Sequence, residues 1–342
     1  MVRQLVFLEA GLVRWQEAPD PQLSDPRGAL VRPLAVARCD LDRPMAASGL
    51  FPGPFAVGHE TVGEIIAVGD EVNKRRVGER VLVPFQVSCG TCPACRDGRF
   101  GACHTYRARA GGAFGFGEAG GGHGGAVADV LAVPAADHML LLAAQGSASA
   151  LCALPDNACD AYRAVGPQLA EHPGAEVLIV GGAAASIGLY AISFARALGS
   201  GRVRYVDRDA QRCAAATTLG ADVEHQQGPW PRRYDRAAIT VEATGEIDGL
   251  HSVLRSTDDY GFCTSVAIHF APTVALPLLE MYTRGITFHL SRADSRRLLP
   301  VVLELFAEGR FDPLAVPTTI VPWDRADEAW LEPATKLVLE RK

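Results

Sequence analysis

A chain of 342 residues with 48% hydrophobic and 21% charged side chains carries enough apolar surface for one or two packed cores, which excludes wholesale disorder and a small stapled scaffold. Its 39 acidic against 33 basic residues give a net charge of −6 without a dense basic run, so nucleic acid is not an expected partner. No apolar run reaches the roughly 18 residues of a membrane span and the first residues carry no secretory pattern, so the expectation is a cytoplasmic protein without membrane association.

The first half is rich in β-type runs punctuated by glycine, as at residues 64–69 and 80–84, which predicts short strands joined by turns. The glycine-rich stretch 111–125 reads as a surface loop, because apolar sequence resumes on both sides. From about residue 174 the rhythm changes. An apolar strand at 176–180 is followed by a small-residue turn and a helical pattern through Ile187, Ala191, Phe194 and Leu198. A second strand at 203–207 and a helix at 210–219 complete a βαβ unit. Further alternation at 238–242 and 261–266 predicts a parallel sheet over residues 158–289. A helix near 295–308 and a strand near 336–339 follow, and no internal repeat is present.

The nine cysteines are unevenly placed. Cys89, Cys92, Cys95 and Cys103 fall on one short loop, whereas Cys39, Cys152, Cys159, Cys213 and Cys263 are scattered, a pattern that argues for metal or reactive thiols over a disulfide framework. The C-x2-C-x2-C-x7-C spacing suits a closed tetrahedral zinc, which leaves no position for substrate and is therefore structural. Four sulfurs would also suit an iron–sulfur centre. The turn Gly181-Gly182-Ala183-Ala184-Ala185-Ser186-Ile187-Gly188 follows a buried strand and opens a helix. It departs from Gly-x-Gly-x-x-Gly by placing Ala at the middle glycine. Asp207 ends the next strand about twenty residues on, the arrangement that binds a dinucleotide's pyrophosphate at the helix N-terminus and its ribose hydroxyls at the carboxylate. Asp207 would repel a 2′-phosphate, which predicts NAD over NADP, while Arg208 and Arg212 nearby could accommodate one.

Upstream, Arg38-Cys39-Asp40-Leu41-Asp42 precedes Gly58-His59-Glu60-Thr61-Val62-Gly63-Glu64-Ile65-Ile66-Ala67-Val68-Gly69-Asp70-Glu71-Val72. With this motif, the cysteine cluster and Gly309-Arg310-Phe311-Asp312-Pro313, the chain resembles the zinc-dependent alcohol dehydrogenases of the medium-chain dehydrogenase/reductase family over essentially its whole length. The resemblance implies an α/β protein with a GroES-like β-rich catalytic domain at 1–157, completed by 290–342, and a Rossmann domain with a doubly wound parallel sheet at 158–289. It implies two zinc ions, one structural and one catalytic. The catalytic ion would be held by Cys39, His59 and a third ligand, with Glu60 adjacent. The segment Pro155-Asp156-Asn157-Ala158-Cys159-Asp160-Ala161-Tyr162 favours Asp156 as that ligand, with Cys152 and Cys159 as rivals. Asp42 would orient the zinc-binding histidine, or be a solvated loop acid. Arg212 would lie near the adenosine ribose and Lys336 near the pyrophosphate. Family members are commonly homodimers or homotetramers.

Two departures fall at the chemistry. Leu41 stands where a hydroxyl usually passes the alcohol proton outward, and Asp160 replaces a threonine beside the nicotinamide. A leucine relays no proton. The expectation is an NAD-linked oxidoreductase of small alcohols, ketones or aldehydes. A reductase of imines or activated alkenes, and a cofactor-binding protein with little turnover, are the alternatives. His104, His123 and His269 are further pocket candidates without an assigned role. Cys152, Cys159, Cys213 and Cys263 read as small buried apolar residues.

Overall fold

The run of apolar residues Leu5, Val6 and Phe7 seeds the first strand. In the computed structural model, which describes residues 1–342 apart from Ser24, Leu50 and Ala110, β1 (Val2–Glu9) and β2 (Leu12–Ala18) form a hairpin that sets Leu5 against Trp15 and Phe7 against Val13. β3 (Ala29–Arg38) follows, then β4 (Phe55–Ala56), which pairs with the free side of β1 and brings Phe55 to 5.0 Å from the Phe7 ring. β5 (Glu60–Val68), β6 (Arg80–Val83), β7 (Leu131–Val133) and β8 (Leu141–Leu142) build a second antiparallel sheet on β3. The register slips at Pro33, which has no N–H to give the ladder. Beyond that bulge residues 35–38 are all buried. Phe7, Val31, Met45, Ile65, Val81, Phe114 and Trp330 fill the core of this unit, and truncating a side chain such as Phe7 would cost about 3–5 kcal/mol.

A second unit comprises Asp160–Arg292 and Arg310–Val316. β9 (Val177–Val180), β10 (Val203–Asp207), β11 (Asp222–His225), β12 (Ala237–Glu242), β13 (Thr257–Ser265) and β14 (Thr287–Leu290) all run parallel, in the order β11-β10-β9-β12-β13-β14. This is the doubly wound order of a dinucleotide-binding fold, with its switch point between β9 and β12. β9 is buried along its whole length, as a strand covered on both faces must be. The helix Ala185–Ala197 packs its small residues onto the sheet and stacks Phe194 on Phe311 at 4.0 Å, which is why residues 310–316 group with this unit.

The first unit comprises Met1–Cys159, Ala293–Gly309 and Pro317–Lys342. The returning chain supplies the helix Ser295–Ala307, then β15 (Thr318–Pro322) and β16 (Lys336–Glu340). β16 inserts between β15 and β3, with Leu337 opposite Arg38 and Glu340 opposite Ala35. Its first four residues are buried, Lys336 among them. Among the described residues no helix is long and apolar enough to cross a membrane.

Candidate metal centres and cofactor turn

At the end of β3, the amide of Cys39 donates to Asp42 Oδ2 at 2.9 Å, and the amide of Leu41 donates to the Cys39 thiol at 3.2 Å. These bonds fold the chain directly into the helix Asp42–Ser48. Facing Cys39, His59 follows Gly58, whose φ of +89° and contact with Val127, 2.6 Å from a built Cβ, leave no room for a side chain. Glu60 opens β5 opposite Ala37. Asp156 comes from a π-helical turn, Leu154–Ala158, that immediately precedes the helix Cys159–Glu171; such turns recur at functional sites.

The result is one cluster. Ligand atoms of Cys39, His59, Glu60 and Asp156 all lie within 4.8 Å of one another. Asp156 Oδ2 is 3.2 Å from His59 Nε2, and Asp42 Oδ1 is 3.6 Å from His59 Nδ1. Burial opposes charge on His59, but Asp42, Asp156 and Glu60 outweigh it and raise the imidazole to about 9. Burial, reinforced by Asp42, Asp156 and Glu60, pushes the Cys39 thiol well up. Burial also raises Glu60, against the opposing pull of Lys336. Phe85 and Phe116 flank the His59 ring at 5.5 and 5.1 Å between centroids.

One thiol, one imidazole and two carboxylates converging in a buried site form a donor set that fits zinc. His59 Nδ1 and Asp42 Oδ1 have no hydrogen-bond partner, so the carboxylate stands where it can fix the ring's tautomer once Nε2 is engaged. Cys152 and Cys159 turn elsewhere, their thiols donating to the carbonyls of Ser149 and Leu154.

In the cysteine loop the four Sγ atoms likewise fall within 4.8 Å of one another. The Cys89–Cys95 and Cys92–Cys103 sulfur pairs are each 4.0 Å apart, close to the edge of about 3.8 Å of a tetrahedron with 2.3 Å zinc–sulfur bonds. Amides of Thr91 and Cys92 donate to Cys89, and that of His104 to Cys92. This backbone is arranged around thiolates.

In the second unit, Gly181, Gly182, Ser186, Ile187 and Gly188 lie on the passage from β9 into its helix, with the amides of Ala183 and Ala184 tied to the carbonyls of Thr244 and Ala243. Asp207 ends β10 as expected, but its carboxylate is paired bidentately with Arg212.

Three comparisons bear on this geometry. Residues 25–143 match the alcohol dehydrogenase GroES-like domain. The chain is 31% identical over 340 residues to a probable zinc-binding alcohol dehydrogenase of Mycobacterium tuberculosis, covering 96% of this chain and 84% of that one. It belongs to the zinc-binding alcohol dehydrogenase family. A glutathione-independent formaldehyde dehydrogenase of Pseudomonas aeruginosa is 33% identical over 259 residues, which span 72% of this chain and 63% of that protein. Among solved structures, alcohol dehydrogenase TADH from Thermus sp. ATN1 superposes with a TM-score of 0.90 at 29% identity, covering 99% of this chain and 100% of that one.

Several other residues that the sequence singled out have defined surroundings in the fold. Lys336, expected near a pyrophosphate, is 1% exposed and its Nζ bonds both Glu60 oxygens at 2.7 and 2.9 Å, because β16 lies inside the catalytic sheet with its first residues covered. Asp160 pairs with Arg163 at 2.6 Å. His269 donates to Glu242 across 3.2 Å, where Glu242 also accepts from Thr244, Gly245 and Ser265. His123 is half-buried beside Tyr106, and His104 is exposed. Glu242 and Tyr205 escaped the sequence reading. Glu242 ends β12, which was the available signal, whereas Tyr205 lies in the middle of β10 and offered none.

Proposed function

We propose that this family member is a zinc-dependent, NAD-linked alcohol dehydrogenase or carbonyl reductase, and the convergence of Cys39, His59, Glu60 and Asp156 carries that reading. Cys39, His59 and Asp156 would hold the catalytic zinc with Glu60 adjacent, and Cys89, Cys92, Cys95 and Cys103 the structural one. Zinc, when bound in such a site, lowers the pKa of an alcohol and polarises a carbonyl for hydride exchange with nicotinamide. The turn 181–188 would receive the pyrophosphate at the helix N-terminus, and Asp207 would favour NAD over NADP. Asp42 orients His59. Glu60, held by Lys336, keeps a second carboxylate at the donor cluster.

Leu41 has no hydroxyl and its amide is committed to Cys39. A proton leaving an alcohol therefore passes to water or to a neighbouring acid such as Asp40. That same feature favours a second reading, reduction of imines or activated alkenes. A panel of alcohols, ketones, aldehydes, imines and enones followed by NADH absorbance, on protein assayed for metal, separates the two. About two zinc per chain with alcohol or carbonyl turnover is the expected result. Turnover confined to imines or enones supports the second reading, and one zinc without turnover overturns both.

The second unit exposes the large apolar side chains Tyr260, Phe270, Leu278, Leu279, Tyr282 and Leu290, on or following β13 and on β14 and the helix Leu278–Arg284 that precedes it, with β14 at the edge of the sheet. Exposed apolar surface of this kind is a mark of protein interfaces, and we assign this edge to a second copy of the chain, in a homodimer or homotetramer. None of the nine cysteines is in a disulfide, which supports a cytoplasmic setting.

A further inference from the structure

The doubly wound order divides the crevice at the strand ends into two halves, β9 to β11 on one side of the switch point and β12 to β14 on the other. On the first half, Asp207 is closed in by the Tyr205 hydroxyl at 2.6 Å and by Arg212. The second half carries a buried carboxylate backed onto an imidazole. Glu242, the last residue of β12, is 0% exposed, and its Oε1 accepts from the Thr244 amide and hydroxyl at 2.8 and 2.6 Å and from the Gly245 amide at 3.0 Å. Its Oε2 accepts from the Ser265 hydroxyl at 2.6 Å and from His269 Nε2 at 3.2 Å. Burial opposes its charge, but His269, Ser265 and Thr244 outweigh it and hold the carboxyl below its ordinary range.

His269 follows β13, and its side chain is 11% exposed. With Nε2 turned inward to Glu242, Nδ1 makes no hydrogen bond among the described residues. The dyad adjoins the glycine turn. A Cβ built at Gly245 would stand 2.9 Å from the Ala183 Cβ and 3.8 Å from the Ala267 Cβ, so the turn, the end of β12 and the segment bearing His269 converge there. Glu242 is the charged group that faces the imidazole, and it raises His269 above its ordinary value against the opposing effect of burial. The turn 181–188 bears no charge. From the helix Cys159–Glu171, Arg163 reaches the Ser265 carbonyl at 3.3 Å, with its own charge met by Asp160 at 2.6 Å. From the helix Ile247–Ser256, His251 bonds the Ala275 carbonyl at 2.6 Å, and on β14 His289 turns to the Phe262 ring.

A dinucleotide whose adenosine lies on the Asp207 side sets its nicotinamide over the second half. The oxidised ring carries a positive charge and the reduced ring none. We propose that His269, oriented by Glu242, reads the redox state of the cofactor: as an imidazolium it disfavours the oxidised ring, and as a neutral imidazole over the Glu242 carboxylate it favours that ring. This inference rests on the reading of the 181–188 turn as the NAD(P) site. By linkage, binding of the oxidised form expels the Nδ1 proton to solvent. When a hydride, with its electron pair, cancels the charge of the ring, the imidazole takes a proton back from solvent. Each turnover in the oxidising direction therefore reloads the dyad.

The test is the affinity of NADH, followed by its own fluorescence, and of NAD+, followed by displacement of NADH, from about pH 6 to about pH 9 without substrate. It compares the wild type with His269→Gln, which is never charged, and His269→Lys, which is charged throughout. At each pH the contribution of any other group is common to all three. The wild type should share the NADH preference of His269→Lys at the acid end and the weaker preference of His269→Gln at the alkaline end. Between the two, the ratio of NAD+ to NADH affinity should change about tenfold, the effect of a unit charge across a partly solvated crevice. Glu242→Gln removes the counter-charge and should move the crossover to lower pH, a shift that a merely structural carboxylate would not produce. Should that variant fail to fold, the His269 pair decides. A wild type that keeps a constant relation to both His269 variants, or a crossover that Glu242→Gln leaves in place, overturns the proposal while the cofactor reading stands. A wild type that binds neither nucleotide overturns that reading with it.

Discussion

His59 is claimed from both sides, by Asp156 at one ring nitrogen and Asp42 at the other. If Asp42 serves to orient the ring, Asp42→Asn should leave every proposed ligand in place yet weaken zinc binding about 10–100-fold, measured by competition with a chelator of known affinity. Lys336 presents the complementary case. Both it and Glu60 are fully buried, so in metal-stripped protein Lys336→Met leaves a carboxylate without its counter-ion, and denaturant unfolding should show a loss of about 3–5 kcal/mol. Adding Glu60→Gln should restore much of it, because a buried pair replaced whole costs far less than a pair broken. At this scale the sequence was unevenly legible. The four cysteines of the loop were readable because their spacing is local. Cys39 and His59 were reached through the family motif around them. The Lys336–Glu60 pair was not, since 276 residues separate its members and an isolated lysine in a strand looks like any solvated cation. Nor was the saturation of Asp207, which depends on where the Tyr205 side chain points.

The cysteine loop shows how an element imposes its own chemistry. Gly90 has a φ of +74°, and a Cβ there would stand 2.7 Å from the His138 ring, while His138 Nε2 meets the Ser88 hydroxyl at 2.8 Å. Burial, with Arg296 adding to it, lowers His138 from 6.5 to about 4. A histidine lowered in this way binds its proton more readily in the unfolded chain. Stability is therefore unaffected above about 6.5, and falls as the pH drops from there toward 4. Thermal melts across that window should show the decline, and His138→Gln should flatten it. Among the elements, the βαβ rhythm after residue 174 was plain in the sequence because buried parallel strands are short apolar runs between helical patterns. The π-helical turn carrying Asp156 was not, because its sequence, Leu-Pro-Asp-Asn-Ala, gives no periodicity to read over five residues.

At the scale of the molecule, the parallel sheet follows from alternation in the sequence, while its doubly wound order was implied by the resemblance to the family. The interface proposed above does not follow from either, because exposure is a property of the folded surface. Tyr282 is 84% and Leu279 75% exposed, and their joint replacement, Leu279→Asp with Tyr282→Asp, should reduce the mass seen by light scattering to that of a single chain while NADH affinity is kept. An unchanged mass would move the interface elsewhere. The position of β16 bears on how the molecule is made. All of the second unit but residues 310–316 is one contiguous stretch that leaves the ribosome early, whereas the edge of β3 stays open until residues 336–340 arrive. Throughout that interval Glu60 waits without its counter-ion, so the centre whose parts are encoded earliest is the last to mature, and a nascent chain released before β16 would carry an unpaired strand edge beside an uncompensated carboxylate.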